Sequence, residues 1–164
     1  MHIIIGLGNP GREYQRTRHN VGFDVLDVLS EKTGIALTKS AMHGLIGEGF
    51  VGGEKVALVK PQTYMNLSGQ CVTELVSWYK APMENTLVIY DDIDLPLGKL
   101  RLRVGVGRKP EGWELADWVL SHYQTEEERK TQFDAFLLAA DTVIDWVNNG
   151  WESAMRTANA PKKG

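Results

Sequence analysis

Cysteine is almost missing: Cys71 is the only one in 164 residues. One thiol makes no internal disulfide and no cysteine-based zinc site, and it fits a reducing cytoplasm. No apolar run approaches the ~18–20 residues that cross a bilayer. The N-terminus, MHIIIGLGNPG, has no basic stretch ahead of a signal-type core. An excess of positive charge is missing too. Lys and Arg number 18 against 21 Asp and Glu, a net charge of −3, so any contact with a nucleic acid must rest on a local basic patch. Internal repeats, low-complexity tracts and linkers are also lacking. What remains is ordinary globular material, 43% hydrophobic and 24% charged, long enough for one domain with one real core. The expected setting is the cytoplasm.

His2–Gly6 is a β-branched run cut off by glycine, which predicts a buried first strand. Gly8–Arg18 is polar and carries Pro10 and Gly11, a loop. Val21, Val25, Val28 and Leu29 fall at helical spacing, and Gly34 suits the left-handed residue after that helix. Gly44–Phe50 and Lys55–Lys60 predict two strands, turned at Gly52-Gly53. Ser68 suits the N-cap of a helix through Val72, Leu75, Val76 and Tyr79, with Pro82 just past its end. Thr86–Tyr90 predicts a strand that stops in Asp91-Asp92-Ile93-Asp94, and Lys99–Val104 predicts another. After a turn at Pro110-Glu111-Gly112, Trp113–Leu120 predicts a short helix. Thr125 with Glu128 forms a capping box for a long amphipathic helix closed by Gly150. Strands alternating with helices imply a single α/β domain over 1–164, with a mixed, mainly parallel twisted sheet flanked by helices.

Gly6-Leu-Gly8-Asn-Pro-Gly11 satisfies G-x-G-x-x-G after a strand, as a dinucleotide site would. That site needs a helix opening at the second glycine. Here Pro10 and a polar stretch follow, and no helical period begins before Val21, so the cofactor reading is set aside. The same segment offers other chemistry. Asn9, Tyr14 and His19 lie in or beside one loop at the carboxyl end of the first strand, the edge where open α/β sheets place ligands. Histidine is the side chain that ordinarily titrates nearest neutrality, so His19 is the best general base in the chain; the alternative is a cap for the helix starting near Asn20.

Pro61–Gly69 also follows a strand and opens a helix. Its Asn66 carries an amide donor and a carbonyl acceptor, suited to orienting a water or holding a carbonyl oxygen, or else is a turn residue. The acidic run at 91–94 suits Mg²⁺ or Ca²⁺ by its oxygens, but not at EF-hand spacing. A carboxylate that fixes the tautomer of a histidine is the more economical use. Lys99, Arg101, Arg103, Arg108 and Lys109 concentrate five positive charges, either a phosphate-binding patch or a solvated face.

At these residues a resemblance becomes specific. GLGNPGREYQRTRHNVG, KPQTYMNLSG and YDDIDLPLGKLRLR, followed by RVGVGR, resemble in order and separation the hallmark segments of bacterial-type peptidyl-tRNA hydrolases, from Met1 to about Asn159. The resemblance implies cleavage of the ester between a peptide and the 3′ end of a tRNA by a base-activated water. It makes His19 the catalytic base, Asp91 its orienting carboxylate and Asn9 a contact to the ester. Tyr14, Tyr64, Asn66 and Arg103 become substrate and tRNA-binding residues. It implies no cofactor, no metal and a cytoplasmic monomer. The sequence departs from the family after Arg103. Members carry there a glycine-rich lid, a Gly-Gly-His-Asn-Gly element, a helix and a second strand ending in Arg-Leu-Arg. Here Leu100-Arg101-Leu102-Arg103 runs straight into Val104-Gly105-Val106-Gly107. Two expectations stand: a competent hydrolase with a shortened lid, or an impaired variant that binds tRNA ends without efficient turnover. In either, an exposed sheet edge favours association of the chain.

Overall fold

A computed structural model describes residues 1–100 and 103–160. The strands are β1 (His2–Gly6), β2 (Lys39–Ala41), β3 (Gly44–Val51), β4 (Glu54–Pro61), β5 (Thr86–Ile89), β6 (Asp91–Asp92) and β7 (Val104–Gly105). The helices are α1 (Val21–Thr33), α2 (Ser68–Tyr79), α3 (Leu115–Val119), α4 (Glu126–Asn149) and α5 (Trp151–Asn159). The main sheet runs β2-β3-β4-β1-β5, and a two-stranded ladder joins β6 and β7. It is the expected mixed sheet. β1 lies parallel to both β4 and β5, whereas β2, β3 and β4 form an antiparallel meander.

Burial on both faces explains the unbroken apolar runs of β1 and β4. Side chains alternate across a strand, so Ile4, Val56 and Leu58 enter one core with Val25, Leu26, Leu29 and Val143. Ile3, Ile5, Ala57 and Val59 enter the other, under α2, with Cys71 and Leu75. α1 and α4 cover the first face. Only Cys71 and Leu75 of α2 are buried, so the second face is held more thinly.

Most predicted elements form with the expected ends. Gly34 closes α1 at φ 71°. Thr125 Oγ1 accepts from the Glu128 amide at 3.0 Å and the Glu128 carboxylate accepts from Thr125 N–H, so the capping box of α4 is made. Three expectations are corrected. Ser68 does not cap α2: it is the first helical residue, and its hydroxyl donates back to the Met65 carbonyl at 3.0 Å, within the 3₁₀ turn Met65–Leu67. The short helix is narrower than Trp113–Leu120, starting only at Leu115.

Lys99–Val104 is not one strand. Leu100 bridges Val104 in antiparallel sense, and the Gly105 amide donates to the Lys99 carbonyl at 2.8 Å. The chain therefore doubles back, and β7 begins only at Val104; Arg101 and Leu102 lie outside the described residues. A separate turn over Pro96–Lys99, with Gly98 at φ 77°, precedes Leu100. α5 was not foreseen past Gly150. Asp145 of α4 fastens it by accepting from the hydroxyls of Ser153 and Thr157.

Among the described residues, β5 pairs with β1 alone. Beside it, between the sheet and α4–α5, lies an apolar hollow of about 310 Å³ lined by Leu87, Ile89, Val104, Val143, Trp146 and Met155 among others.

Candidate active site

The glycines after β1 bring helix and strand together. A Cβ on Gly22 would stand 2.4 Å from Leu7 N and 2.5 Å from the Ile89 carbonyl oxygen, and one on Gly6 would stand 2.2 Å from the Gly22 carbonyl oxygen. One on Gly8 would meet the Phe23 ring at 2.8 Å. Gly6 and Gly8 thus serve close packing of α1 against the strand ends, and Gly11, at φ 122°, leads into a 3₁₀ turn, Arg12–Tyr14, in place of a helix. That packing sets the turn Arg18–Asn20 beside the carboxyl ends of β1 and β5.

His19 sits in this turn, and its Nδ1 lies 2.9 Å from Asp91 Oδ2. It does not cap α1. A carboxylate only accepts hydrogen bonds, so Nδ1–H donates to Asp91 and the Nε2 lone pair is free to take a proton. Asp91 is 8% exposed and His19 26%: the carboxylate is shielded and the ring edge is open. The acidic run divides its labour. Asp92 accepts from the Arg103 guanidinium at 2.8 Å and from the Asp94 amide at 2.8 Å.

Asn9 is held at three points. Its N–H donates to Asn20 Oδ1 at 2.9 Å, its carbonyl accepts from Asn20 Nδ2 at 3.0 Å, and its Oδ1 accepts from the Met65 amide at 2.9 Å. Among the described residues its Nδ2 makes no hydrogen bond, so a fixed amide donor remains for a ligand. The Met65 bond draws the 3₁₀ turn with exposed Asn66 to the β1 loop, and Tyr14 meets Tyr64 edge to face with centroids 6.4 Å apart. Sequence reasoning overlooked Asn20. Buried to 2%, it matches Asn9 in both directions like a second strand of backbone. Arg103 stands apart from this group, half-exposed on Asp92 and 5.8 Å over the Tyr90 ring.

Arg18 was overlooked as well. It is 1% exposed, and its guanidinium donates to the Val106 carbonyl at 3.0 Å, to Glu128 at 3.0 Å and to Ser121 Oγ at 3.4 Å. It also lies 3.8 Å over Trp118 and 4.6 Å over Tyr123. Burial would push the Glu128 carboxyl up, but the Gln124 amide and the Arg18 guanidinium outweigh it and hold it below its ordinary value. On the far side of Asn9 and Asn20 opens a polar cavity of about 390 Å³ bordered by Arg16, Asp24, Asp27 and Lys60. Burial, reinforced by Asp27, pushes the Asp24 carboxyl up to about 7. Lys60 is paired with Asp27.

Known proteins similar to this chain agree with one another in name. The profile of the family described as Peptidyl-tRNA hydrolase matches residues 3–103 and 100–164. The peptidyl-tRNA hydrolase of Caldanaerobacter subterraneus subsp. tengcongensis is 44% identical over 186 residues, covering 97% of this chain and all of that one. That of Lachnospira eligens is 43% identical with the same coverage. Among solved structures, the peptidyl-tRNA hydrolase of Acinetobacter baumannii superposes with a TM-score of 0.87 at 30% identity, over 98% of this chain and 95% of that one. A complex of peptidyl-tRNA hydrolase with N-propanol gives 0.91 at 31% identity, over 100% and 97%. With a profile match along nearly its whole length and relatives of this similarity, the chain belongs to the peptidyl-tRNA hydrolase family.

Proposed function

We propose that this protein hydrolyses the ester between peptide and tRNA by the chemistry of the His19–Asp91 pair. The observation that carries the mechanism is the 2.9 Å contact between a shielded carboxylate and Nδ1 of a part-exposed ring. His19 Nε2 takes the proton of a water as that water attacks the ester carbonyl, and returns it to the ribose oxygen as the bond from the acyl carbon to that oxygen breaks. Asp91 keeps the ring in the tautomer that can do so and stabilises it once charged. The free amide of Asn9 donates to the oxyanion, held in advance by Asn20 and Met65. Tyr14, Tyr64 and Asn66 then receive the 3′ end, and Arg103 the phosphates near it. An ester of a ribose hydroxyl needs no covalent nucleophile, and Cys71 is buried on the inner face of α2. A substrate made in translation supports a cytoplasmic site of action; among the described residues no helix is long and apolar enough to cross a membrane.

The same reading includes a missing segment between Arg103 and Val104. Two facts support it. The 186-residue alignment exceeds the whole chain of 164, and the profile matches in two stretches that share residues 100–103, where the family's two Arg-Leu-Arg endings coincide. The geometry agrees: β7 pairs with β6 just beyond β5, so the residues that precede Val104 in a full-length relative would lie along the outer edge of β5.

The test is turnover of N-acetylated aminoacyl-tRNA. His19→Ala should lower kcat by about 10²–10⁴-fold with little change in tRNA affinity, and Asp91→Asn should lower it less. Near-wild-type turnover by His19→Ala removes that residue from the mechanism.

A further inference from the structure

We infer that Arg18 is a positioning residue for the reaction and that it acts through the backbone of Val104–Val106, which clamps both halves of the His19–Asp91 pair. The inference rests on the assignment of His19 as base, and it adds how the pair is kept at working distance.

Asp91 is held from one side by β7. The Val104 amide donates to the Tyr90 carbonyl at 2.9 Å and the Val106 amide to the Asp92 carbonyl at 3.1 Å, so the peptide group that enters Asp91 and the one that leaves Asp92 are both fixed. His19 is held from the other side. Its neighbour Arg18 sends one arm to the Val106 carbonyl at 3.0 Å, and the Arg18 amide donates to the Ser121 carbonyl at 3.0 Å. Val106 thus donates toward the Asp91 arm and accepts from the His19 arm. Loss of either bond frees one partner to move relative to the other.

The clamp is stiff. The guanidinium is planar, wedged between Trp118 and Tyr123, and braced by Glu128, which itself closes the capping box of α4. Lysine cannot replace this fork-and-stack arrangement. The segment it grips has no spare room: a Cβ on Gly105 would stand 2.1 Å from the Pro96 carbonyl oxygen. A buried arginine with this many partners can be purely structural, so stability alone does not decide its role. What distinguishes positioning is that its loss is felt in the chemical step and in the hydrogen bond at His19 Nδ1 while the molecule stays folded. A misplacement on the order of 1 Å can cost about 10²-fold in rate.

The experiment compares Arg18→Lys and Glu128→Gln with the parent chain, and includes His19→Ala. The readouts are kcat and KM for N-acetylated aminoacyl-tRNA and the downfield imidazole N–H proton resonance of His19, all below the melting point of each variant. Arg18→Lys should lower kcat about 10- to 100-fold with KM within about twofold of the parent, and weaken or shift that resonance. Glu128→Gln should do the same to a smaller extent, and it decides by the same readouts if Arg18→Lys does not fold. Unchanged kcat and an unchanged resonance in the folded variant overturn the inference. So does a rise in KM with the resonance intact, which marks a purely structural arginine. If His19→Ala itself keeps turnover, the assignment of the base has failed, a result separable from failure of the clamp.

Discussion

Asp24 shows how one residue writes a pH signature into the fold. Its carboxyl, raised to about 7 by burial and by Asp27, is protonated in the folded chain between its ordinary 3.8 and that value, whereas the unfolded chain is ionised there. The folded state therefore binds more protons, and stability falls as pH rises across that window. Asp24→Asn removes the charge to be buried, so it should raise Tm at pH 8 and leave it nearly unchanged at pH 4; an equal gain at both pH values would refute this. Legibility in the sequence differs from residue to residue for a comparable physical reason. His19, Asp91 and Asn9 were found because each ends or follows a strand and strand ends share a rim. Arg18 and Asn20 were not. The partners of Arg18 lie 88 and 110 residues downstream, and no local pattern announces a charge that will be buried. His19 was read as base or cap, and only the Asp91 contact separates the two.

Elements with a clear period were legible, and those set by distant pairing were not. β1 and β4 read as apolar runs because both faces are covered, and α4 announced its start through Thr125 and Glu128. Lys99–Val104 reads as a strand by composition, yet bonds from Gly105 to Lys99 and from Gly98 to Gly105 fold it back. α5 has Trp151, Ala154, Met155 and Ala158 at helical spacing, so its signal was present and passed over beyond Gly150. The start of α4 does more than begin a helix, because Glu128 joins its cap to Arg18. Thr125→Ala should cost about 1 kcal/mol, read as a lower urea midpoint at unchanged slope. Because the Glu128 carboxyl is held below its ordinary 4.5, the stability it contributes is present above that value and lost as pH falls through the depressed one. The penalty for Thr125→Ala should accordingly shrink in acid, and a penalty independent of pH would show that cap and ion pair are not coupled.

At the scale of the whole molecule, a β5 edge that among the described residues pairs on one side and an apolar hollow of about 310 Å³ lie together where the proposed missing strand would run. Apolar surface left to water costs about 25 cal/mol per Å², and an unpaired strand edge invites another chain. Inserting a relative's segment between Arg103 and Val104 should raise Tm, raise kcat/KM and yield a monomer by sedimentation, whereas the shorter chain should show association or a lower melt. If both sediment as monomers, melt alike and turn over alike, the segment is dispensable.

The lone cysteine gives the molecule a built-in clock. Cys71 is fully buried on the inner face of α2, and burial pushes its thiol up to about 11, so the closed form is inert to a thiol reagent. Each labelling event then records a lifting of α2, undisturbed by any second thiol or by disulfide exchange. Since only two residues, Cys71 and Leu75, anchor that helix fully buried, with Val72 and Tyr79 partly buried beside them, it should open as a unit of low local stability. Labelling should therefore proceed at urea concentrations below the main transition, with a shallower denaturant dependence than global unfolding. Modification that waits for the whole chain to unfold would mean that α2 is welded to the sheet more firmly than its two anchors imply.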